Sequence, residues 1–361
     1  MKILFIEPYF GGSHKAFANG WINQSRHQFD LLSLPASKWK WRMRHGAVYF
    51  AKLVKEKLKK GAAWDCIFCS EMLNLAEFIG LAGQECQEIP KIVYFHENQL
   101  TYPQRFASER DYQYVLTNFT TALAADGVWF NSDFHRREFL TGIKDFLKKM
   151  PDFQPVQEVD EIKAKSDVVY PGVELAGQPK DKTGPLRILW AARWEHDKNP
   201  EDFFEALKIL KNNGADFRLN VIGEQFRDKP VVFDRAYDYF RENIDRWGYQ
   251  PSKDDYLDTL RQSDVVVSTA VHEFFGIGVI EAISAGCIPV LPNRLSYPEI
   301  LIGYENYLYD GTVQGLAERL GKLIKDPQET RLQNLTAIAQ KFSWKRQSDK
   351  LDDQLEKFLI A

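Results

Sequence analysis

Short apolar runs alternate along the chain with longer stretches in which apolar residues recur every three or four positions. The short runs read as strands over residues 2–7, 29–34, 66–70, 92–96, 127–131 and 168–170 in the first half. In the second half they cover 187–192, 217–223, 265–270 and 288–291. Helical spacing fills most gaps, for example over 200–212, 256–262 and 278–286. Strands alternating with helices predict βαβ units and parallel sheets, hence an α/β class in both halves. Gly, Pro, Lys and Asp concentrate over 171–185, the composition of an exposed linker. The expected division is a domain over 1–172, a linker over 173–186, a second domain over 187–340 and a terminal helix over 341–361. Two doubly wound, Rossmann-like domains with a cleft between them are expected. Such sheets bind ligands beyond the C-terminal ends of their strands, so the chemistry is sought there.

Composition narrows this picture. With 361 residues, 44% hydrophobic and 27% charged, the chain resembles neither a disordered nor a membrane protein. No apolar run approaches the ~20 residues of a membrane span. The opening apolar run breaks at Glu7-Pro8, which suits a first strand better than an export leader, and a cytoplasmic location is expected. Cys66 and Cys69 form a C-x-x-C inside a strand pattern, and no second Cys/His pair completes a zinc site, so core roles are expected. A net charge of −3 excludes a general polyanion binder. Charge is nonetheless uneven: residues 38–60 hold nine Lys/Arg and one acid, Glu56.

Two second-half segments carry chemistry. After the strand ending near Ala270, a loop presents His272 and Glu273, and Phe275, Gly276, Ile277 and Gly278 lead into a helix containing Glu281. Free amides at that helix start, backed by its dipole, suit a diphosphate. Glu281 suits the paired hydroxyls of a ribose, and Glu273 those of a sugar. The plainer reading, two surface acids, stands beside this. Arg193 and Lys198 follow the strand ending at Ala192, and two cations there would neutralise a departing diphosphate. A solvated charged loop is the alternative.

Two first-half segments follow strands in the same way. Gly11 and Gly12 lie after the first strand and lead into Ser13 and His14, allowing close approach to a phosphate or acceptor; a plain tight turn is the alternative. The pattern is not G-x-G-x-x-G, so a nicotinamide fingerprint is absent. His96 and Glu97 end another strand, followed by Asn98 and Gln99; a core histidine is the alternative. No D-x-D pair follows an apolar strand, no clustered ligand set is visible, and no metal is expected. Lys38, Trp39, Lys40, Trp41, Arg42 and Arg44 interleave cations with indoles, a combination that binds phosphates and stacks on unpaired bases. Lys55, Lys57, Lys59 and Lys60 would extend that track, although a solvated helix face is the leading reading for these four and, with core tryptophans, the alternative for the earlier stretch; Arg105, Arg110 and Tyr112 are further acceptor-side candidates.

The segments around Arg193 and Lys198, around Glu273 and Glu281, and at Val169-Tyr170-Pro171-Gly172-Val173 resemble the GT4-type retaining glycosyltransferases. The resemblance implies the GT-B fold, with the terminal helix crossing back to the first domain. It implies that Arg193 and Lys198 bind donor phosphates, Glu281 the ribose, and Glu273 and His96 the donor sugar. It also implies a front-face reaction without a protein nucleophile. Tyr9-Phe10-Gly11-Gly12-Ser13-His14-Lys15, Trp39-Lys40-Trp41-Arg42, Phe95-His96-Glu97-Asn98-Gln99-Leu100, Pro251-Ser252-Lys253-Asp254-Asp255-Tyr256 and Tyr297-Pro298-Glu299-Ile300 are similar to the tRNA-queuosine α-mannosyltransferase family. That resemblance implies transfer of mannose from GDP-mannose to queuosine in the anticodon loop of tRNA-Asp, with no cofactor.

Two rival readings remain at this level. One is a related transferase with a lipid or polysaccharide acceptor, docked on a membrane through residues 48–60, where Val48, Phe50, Leu53, Val54 and Leu58 supply apolar positions. The other is an RNA-binding protein on an inactive transferase scaffold, against which Arg193, Lys198, Glu273 and Glu281 all stand intact.

Overall fold

The computed structural model describes residues 1–102, 111–226 and 229–360. Arg105 and Arg110 therefore lie outside the described residues. Two compact units are present: Met1–Gly172 joined by the helix Trp344–Ile360, and Val173–Ser343.

The first unit contains β1 (Lys2–Phe10), β2 (Gln28–Pro35), β3 (Cys66–Ser70), β4 (Lys91–Phe95), β5 (Gly127–Phe130) and β6 (Ser166–Val168). They pair in parallel in the order β2-β1-β3-β4-β5-β6. Successive strand residues point to opposite faces, and a sheet covered on both sides must be apolar on both. Leu4, Ile6, Ile67, Val93 and Phe95 accordingly fill one core, and Ile3, Phe5, Phe68, Ile92 and Tyr94 the other. Cys69 belongs to the first core and Cys66 to the second, so the C-x-x-C straddles the sheet. Both thiols are free and buried, and burial raises their pKa well above the ordinary value, so both behave as core residues.

The terminal helix is fixed to this unit by a buried carboxylate. Asp352 accepts from the Trp21 indole at 2.7 Å, the Ser25 hydroxyl at 2.7 Å and the Arg26 amide at 2.9 Å. The Trp344 indole lies in a slot between two glycines: a Cβ on Gly20 would meet it at 2.0 Å and one on Gly172 at 2.2 Å.

The second unit contains β7 (Leu186–Ala191), β8 (Phe217–Ile222), β9 (Ile244–Gly248), β10 (Val265–Val267), β11 (Ile288–Pro292) and β12 (Leu308–Tyr309). They too are parallel, in the order β12-β11-β10-β7-β8-β9. The strand pattern did not predict β9, whose Asp245 and Arg246 are exposed, nor the two-residue β12. Residues 173–186 are anchored at their start and do not hang free there. Val173 bridges to Ser343, and the Ala176 amide donates to Ser284 Oγ at 2.8 Å. Each sheet has one point where strand order reverses, between β1 and β3 in the first and between β7 and β10 in the second. These switch points locate the binding ends.

Candidate active site

At the second switch point, the loops leaving β7 and β10 are joined by their backbones. The Val271 amide donates to the Asp197 carbonyl at 2.9 Å, and the Thr269 hydroxyl to the Lys198 carbonyl at 2.8 Å. This brings Lys198 to Glu273. The buried Lys198 Nζ lies 2.9 Å from Asp197 Oδ2, 2.8 Å from the His272 carbonyl oxygen and 3.5 Å from Glu273 Oε2. Burial by itself would lower the Lys198 pKa, but the Glu273 and Asp197 carboxylates outweigh it and raise the pKa, so the ammonium stays charged. Burial and the Lys198 charge push His272 down to about 4, so its ring is neutral at physiological pH. Arg193 is exposed and reaches Glu195 at 3.1 Å.

The helix Ile277–Ser284 starts beside these groups. Its first residue follows Gly276, whose φ of 101° is a conformation glycine adopts at little cost. A Cβ on Gly278 would lie 3.4 Å from the Ala191 carbonyl oxygen, so the helix start sits close to the end of β7. The first helical amides have no partner within the helix. Glu281 lies one full turn in, half-buried, and accepts the Tyr256 hydroxyl at 2.6 Å. Burial raises Glu281 to about 7, with the Tyr256 hydrogen bond restraining the rise. The Phe275 ring is buried edge-on against Phe342, its carbonyl accepts the Ser296 hydroxyl at 2.9 Å, and Ile277 is half-buried.

At the first switch point, four acids and imidazoles converge. Glu7 is wholly buried on β1; its Oε1 accepts the Tyr9 amide at 2.8 Å and the Ser70 hydroxyl at 3.0 Å, and its Oε2 lies 3.0 Å from His14 Nδ1. His14 Nε2 is 3.7 Å from Glu71 Oε1. Glu71, buried just after β3, accepts the His96 amide at 3.1 Å and the Glu97 amide at 3.2 Å. Asn131 Nδ2 donates to the His96 carbonyl at 2.9 Å, so the His96 backbone is held on both sides. The His14 and His96 rings lie 4.1 Å apart. Burial would lower His14, but Glu7 and Glu71 raise it to about 9 and keep it cationic. Burial and the His14 charge hold His96 well below the ordinary value, so it is neutral.

Two expectations change here. Glu7, His14 and His96 place ligand-type atoms within 4.8 Å of one another, a cluster not evident in the spacing along the chain. His14, read from the sequence as an acceptor-binding candidate, is 6% exposed and part of this network, whereas Ser13 is exposed. Asn98 and Gln99 also turn inward. Asn98 Oδ1 accepts the Leu100 and Thr101 amides at 3.1 and 2.9 Å, and Gln99 Nε2 donates to Glu97 at 3.1 Å. They shape the loop after His96. Gly11 is needed for packing, since a Cβ there would meet the Ala36 Cβ at 2.3 Å, while space beside Gly12 is open.

The basic segment forms the helix Trp39–Lys59, preceded by Lys38. Trp39 is half-buried against Tyr114 at 5.0 Å, with Lys40 over both rings, while Trp41 is 60% exposed. Arg42 is engaged internally, donating to the Pro35 carbonyl at 3.0 Å and Ser37 Oγ at 3.2 Å. Arg44 and Lys38 are exposed. Phe50, Leu53, Val54 and Leu58 all pack into the unit's core, leaving Val48 as the exposed aliphatic of the proposed membrane face. No described helix is long and apolar enough to cross a membrane.

The family described as "tRNA-queuosine alpha-mannosyltransferase N-terminal" matches residues 2–173, and that described as "Glycosyl transferases group 1" matches 174–342. A tRNA-queuosine alpha-mannosyltransferase of Drosophila melanogaster is 37% identical over 344 residues, spanning 92% of this chain and 89% of that protein. This chain belongs to the tRNA-queuosine alpha-mannosyltransferase family. A "GDP-mannose-dependent alpha-(1-6)-phosphatidylinositol dimannoside mannosyltransferase" of Mycobacterium tuberculosis is 24% identical over 53% of this chain and 52% of its own. Among solved structures, Anabaena HepE in complex with UDP matches with a TM-score of 0.69 at 15% identity, covering 99% of this chain and 100% of that one. The family member described here thus has the GT-B fold, two parallel-sheet Rossmann-like domains, and is a glycosyltransferase. Sequence reasoning had not singled out Glu7, Glu71 or Tyr256 as individual site residues. Glu71 directly follows a strand, the position that had drawn attention to His96; Tyr256 meets Glu281 only through the fold.

Proposed function

We propose that the protein transfers mannose from GDP-mannose to the queuosine of a tRNA anticodon, with retention at the anomeric carbon. The observation that carries this reading is Lys198 fixed 3.5 Å from Glu273 at the switch point of a chain of this family. Lys198, Arg193 and the amides of Gly276, Ile277 and Gly278 would receive the diphosphate, where negative charge builds as the C1–O bond breaks. Glu273, already paired with Lys198, would accept sugar hydroxyls, and Glu281 the ribose hydroxyls. His96, neutral and clamped by Glu71 and Asn131, would contact the sugar as a hydrogen-bonding group without adding charge. The acceptor hydroxyl forms the new bond to C1 and gives its proton to the departing phosphate. GDP leaves, and no protein nucleophile is used. The chain needs no metal for this, because Lys198 and Arg193 supply the positive charge. Lys38, Lys40, Trp41 and Arg44 would meet the anticodon loop. A cytoplasmic site of action follows from such an acceptor.

The test is transfer of radiolabelled mannose from GDP-mannose to queuosine-containing tRNA, with queuosine-free tRNA beside it. Label confined to the queuosine tRNA is expected. No label on either, with GDP-mannose still bound, would move the acceptor to another class.

A further inference from the structure

The exposed face of the helix Trp39–Lys59 changes character along its length. Trp41, His45, Val48, Lys52, Lys55 and Lys59 recur at steps of three and four, so they share one face. Its first half is aromatic. Trp41 and His45 lie 4.8 Å apart at 33°, and Tyr49 meets His45 at 6.5 Å. Arg42 Nη1 lies 3.0 Å from His45 Nε2, and burial and that guanidinium lower the His45 pKa, so the ladder is uncharged there. The second half and the turn after it carry Lys52, Lys55, Lys59 and Lys60, all exposed. Among the described residues none of these four forms an ion pair, whereas neighbouring Lys57 is held by Asp30 at 3.0 Å.

The direction of this gradient is set by the fold. Met43 packs with Met72 and Tyr9, and Gly46 faces Pro8, so the aromatic half lies at the ends of β1 and β3, where Glu7 and Glu71 stand. Lys57 bonds Asp30 near the start of β2, so the cationic half lies at the opposite edge of the sheet. From Trp41 to Lys59 the face runs about 27 Å at ~1.5 Å per residue.

We infer that this face is a polarised RNA dock: unpaired loop bases stack on Trp41, His45 and Tyr49 beside the site, and Lys52, Lys55, Lys59 and Lys60 track phosphates of the paired stem leading away from it. This rests on the tRNA acceptor proposed above and adds the direction in which the RNA lies. The physical basis is a division of labour. Aromatic faces hold unstacked bases, and ammonium groups bind phosphates irrespective of sequence. A membrane surface fits less well, because an interfacial helix needs an apolar stripe and this helix spends its apolar residues on the core.

The experiment compares wild type with the Lys52→Ala/Lys55→Ala/Lys59→Ala/Lys60→Ala variant and with Trp41→Ala/Tyr49→Ala. Affinity is measured by anisotropy on a queuosine tRNA and on its stemless anticodon-loop oligonucleotide across a salt series, with circular dichroism to check folding. The lysine variant is expected to weaken tRNA binding about tenfold or more and to flatten the salt dependence, each lost phosphate contact removing roughly 0.7–0.9 from the log–log slope. Its binding to the loop oligonucleotide should stay within about twofold of wild type, whereas the aromatic variant should weaken both. Equal loss on both RNAs, or unchanged tRNA affinity and salt slope in the lysine variant, would overturn the dock. So would lysine-dependent flotation with phosphatidylserine vesicles alongside unchanged tRNA affinity. Failure of the wild-type enzyme to label queuosine tRNA would instead strike the acceptor assignment.

Discussion

The Tyr256 hydroxyl donates to Glu281 at 2.6 Å, from a different helix of the same unit, and so orients the carboxylate proposed to hold the donor ribose. Burial raises Glu281 to about 7, and the Tyr256 bond favours its ionised form. The ionised carboxylate accepts from the ribose hydroxyls much more strongly than the protonated acid does. GDP binding, followed by calorimetry, should therefore strengthen as pH rises through about 7. Tyr256→Phe should move that midpoint upward and weaken binding near neutrality by about 1.5–3 kcal/mol, the scale of one hydrogen bond to a charged group. A flat pH profile in wild type would remove Glu281 from the ribose.

Lys198 and Arg193 divide the phosphate role differently. Lys198 also balances Asp197 and Glu273, so Lys198→Ala should slow single-turnover transfer about 100- to 1,000-fold and lower the melting temperature as well. Arg193 is exposed, and Arg193→Ala should slow transfer while leaving melting unchanged. Transfer should survive EDTA in both wild type and Arg193→Ala. Loss in EDTA that magnesium restores would mean that these cations do not suffice.

The His14 network makes stability depend on alkaline pH. His14 rises from an ordinary 6.5 to about 9 in the fold, so its contribution is complete below 6.5 and lost as pH climbs through 9. Glu71, raised by burial from 4.5 to about 8, acts in the same direction over its own window. The melting temperature should therefore fall between pH 7 and 9.5, His14 accounting for about 3 kcal/mol of the change. His14→Gln keeps a polar partner for Glu7 without titrating. It should flatten that fall in a calorimetric pH series; an unchanged slope would place the dependence elsewhere.

Much of this was legible in the chain because strands and their ends have local signatures. Cys66–Ser70 matches its apolar run, and Pro200–Asn212 its helical spacing. What escaped depends on contacts distant in sequence. Glu7 reads as the polar end of a strand until Ser70 and His14 close around it. Trp39 and Trp41 look equivalent in sequence, yet helical geometry turns one toward Tyr114 and the other toward solvent. Strand β10 spans only Val265–Val267 of the expected 265–270: the polar Ser268 and Thr269 follow, and their side chains bond Tyr297 at 2.6 Å and the Lys198 carbonyl at 2.8 Å.

The slot around Trp344 yields a prediction about the terminal helix. The indole fits because Gly20 and Gly172 lack side chains, and both Cβ positions fall far inside van der Waals contact. Neither neighbour can yield easily: Gly20 is within the helix Gly12–Gln24, and Asp352 pins the same terminal helix through three hydrogen bonds. Gly20→Ala or Gly172→Ala should thus cost about 1–3 kcal/mol by overpacking, despite adding one methyl group. Pairing either with Trp344→Ala removes the clash, so the double variant should lose less than the sum of its parts. A double-mutant cycle in urea measures this directly, and strictly additive losses would show that the indole does not occupy the slot in solution.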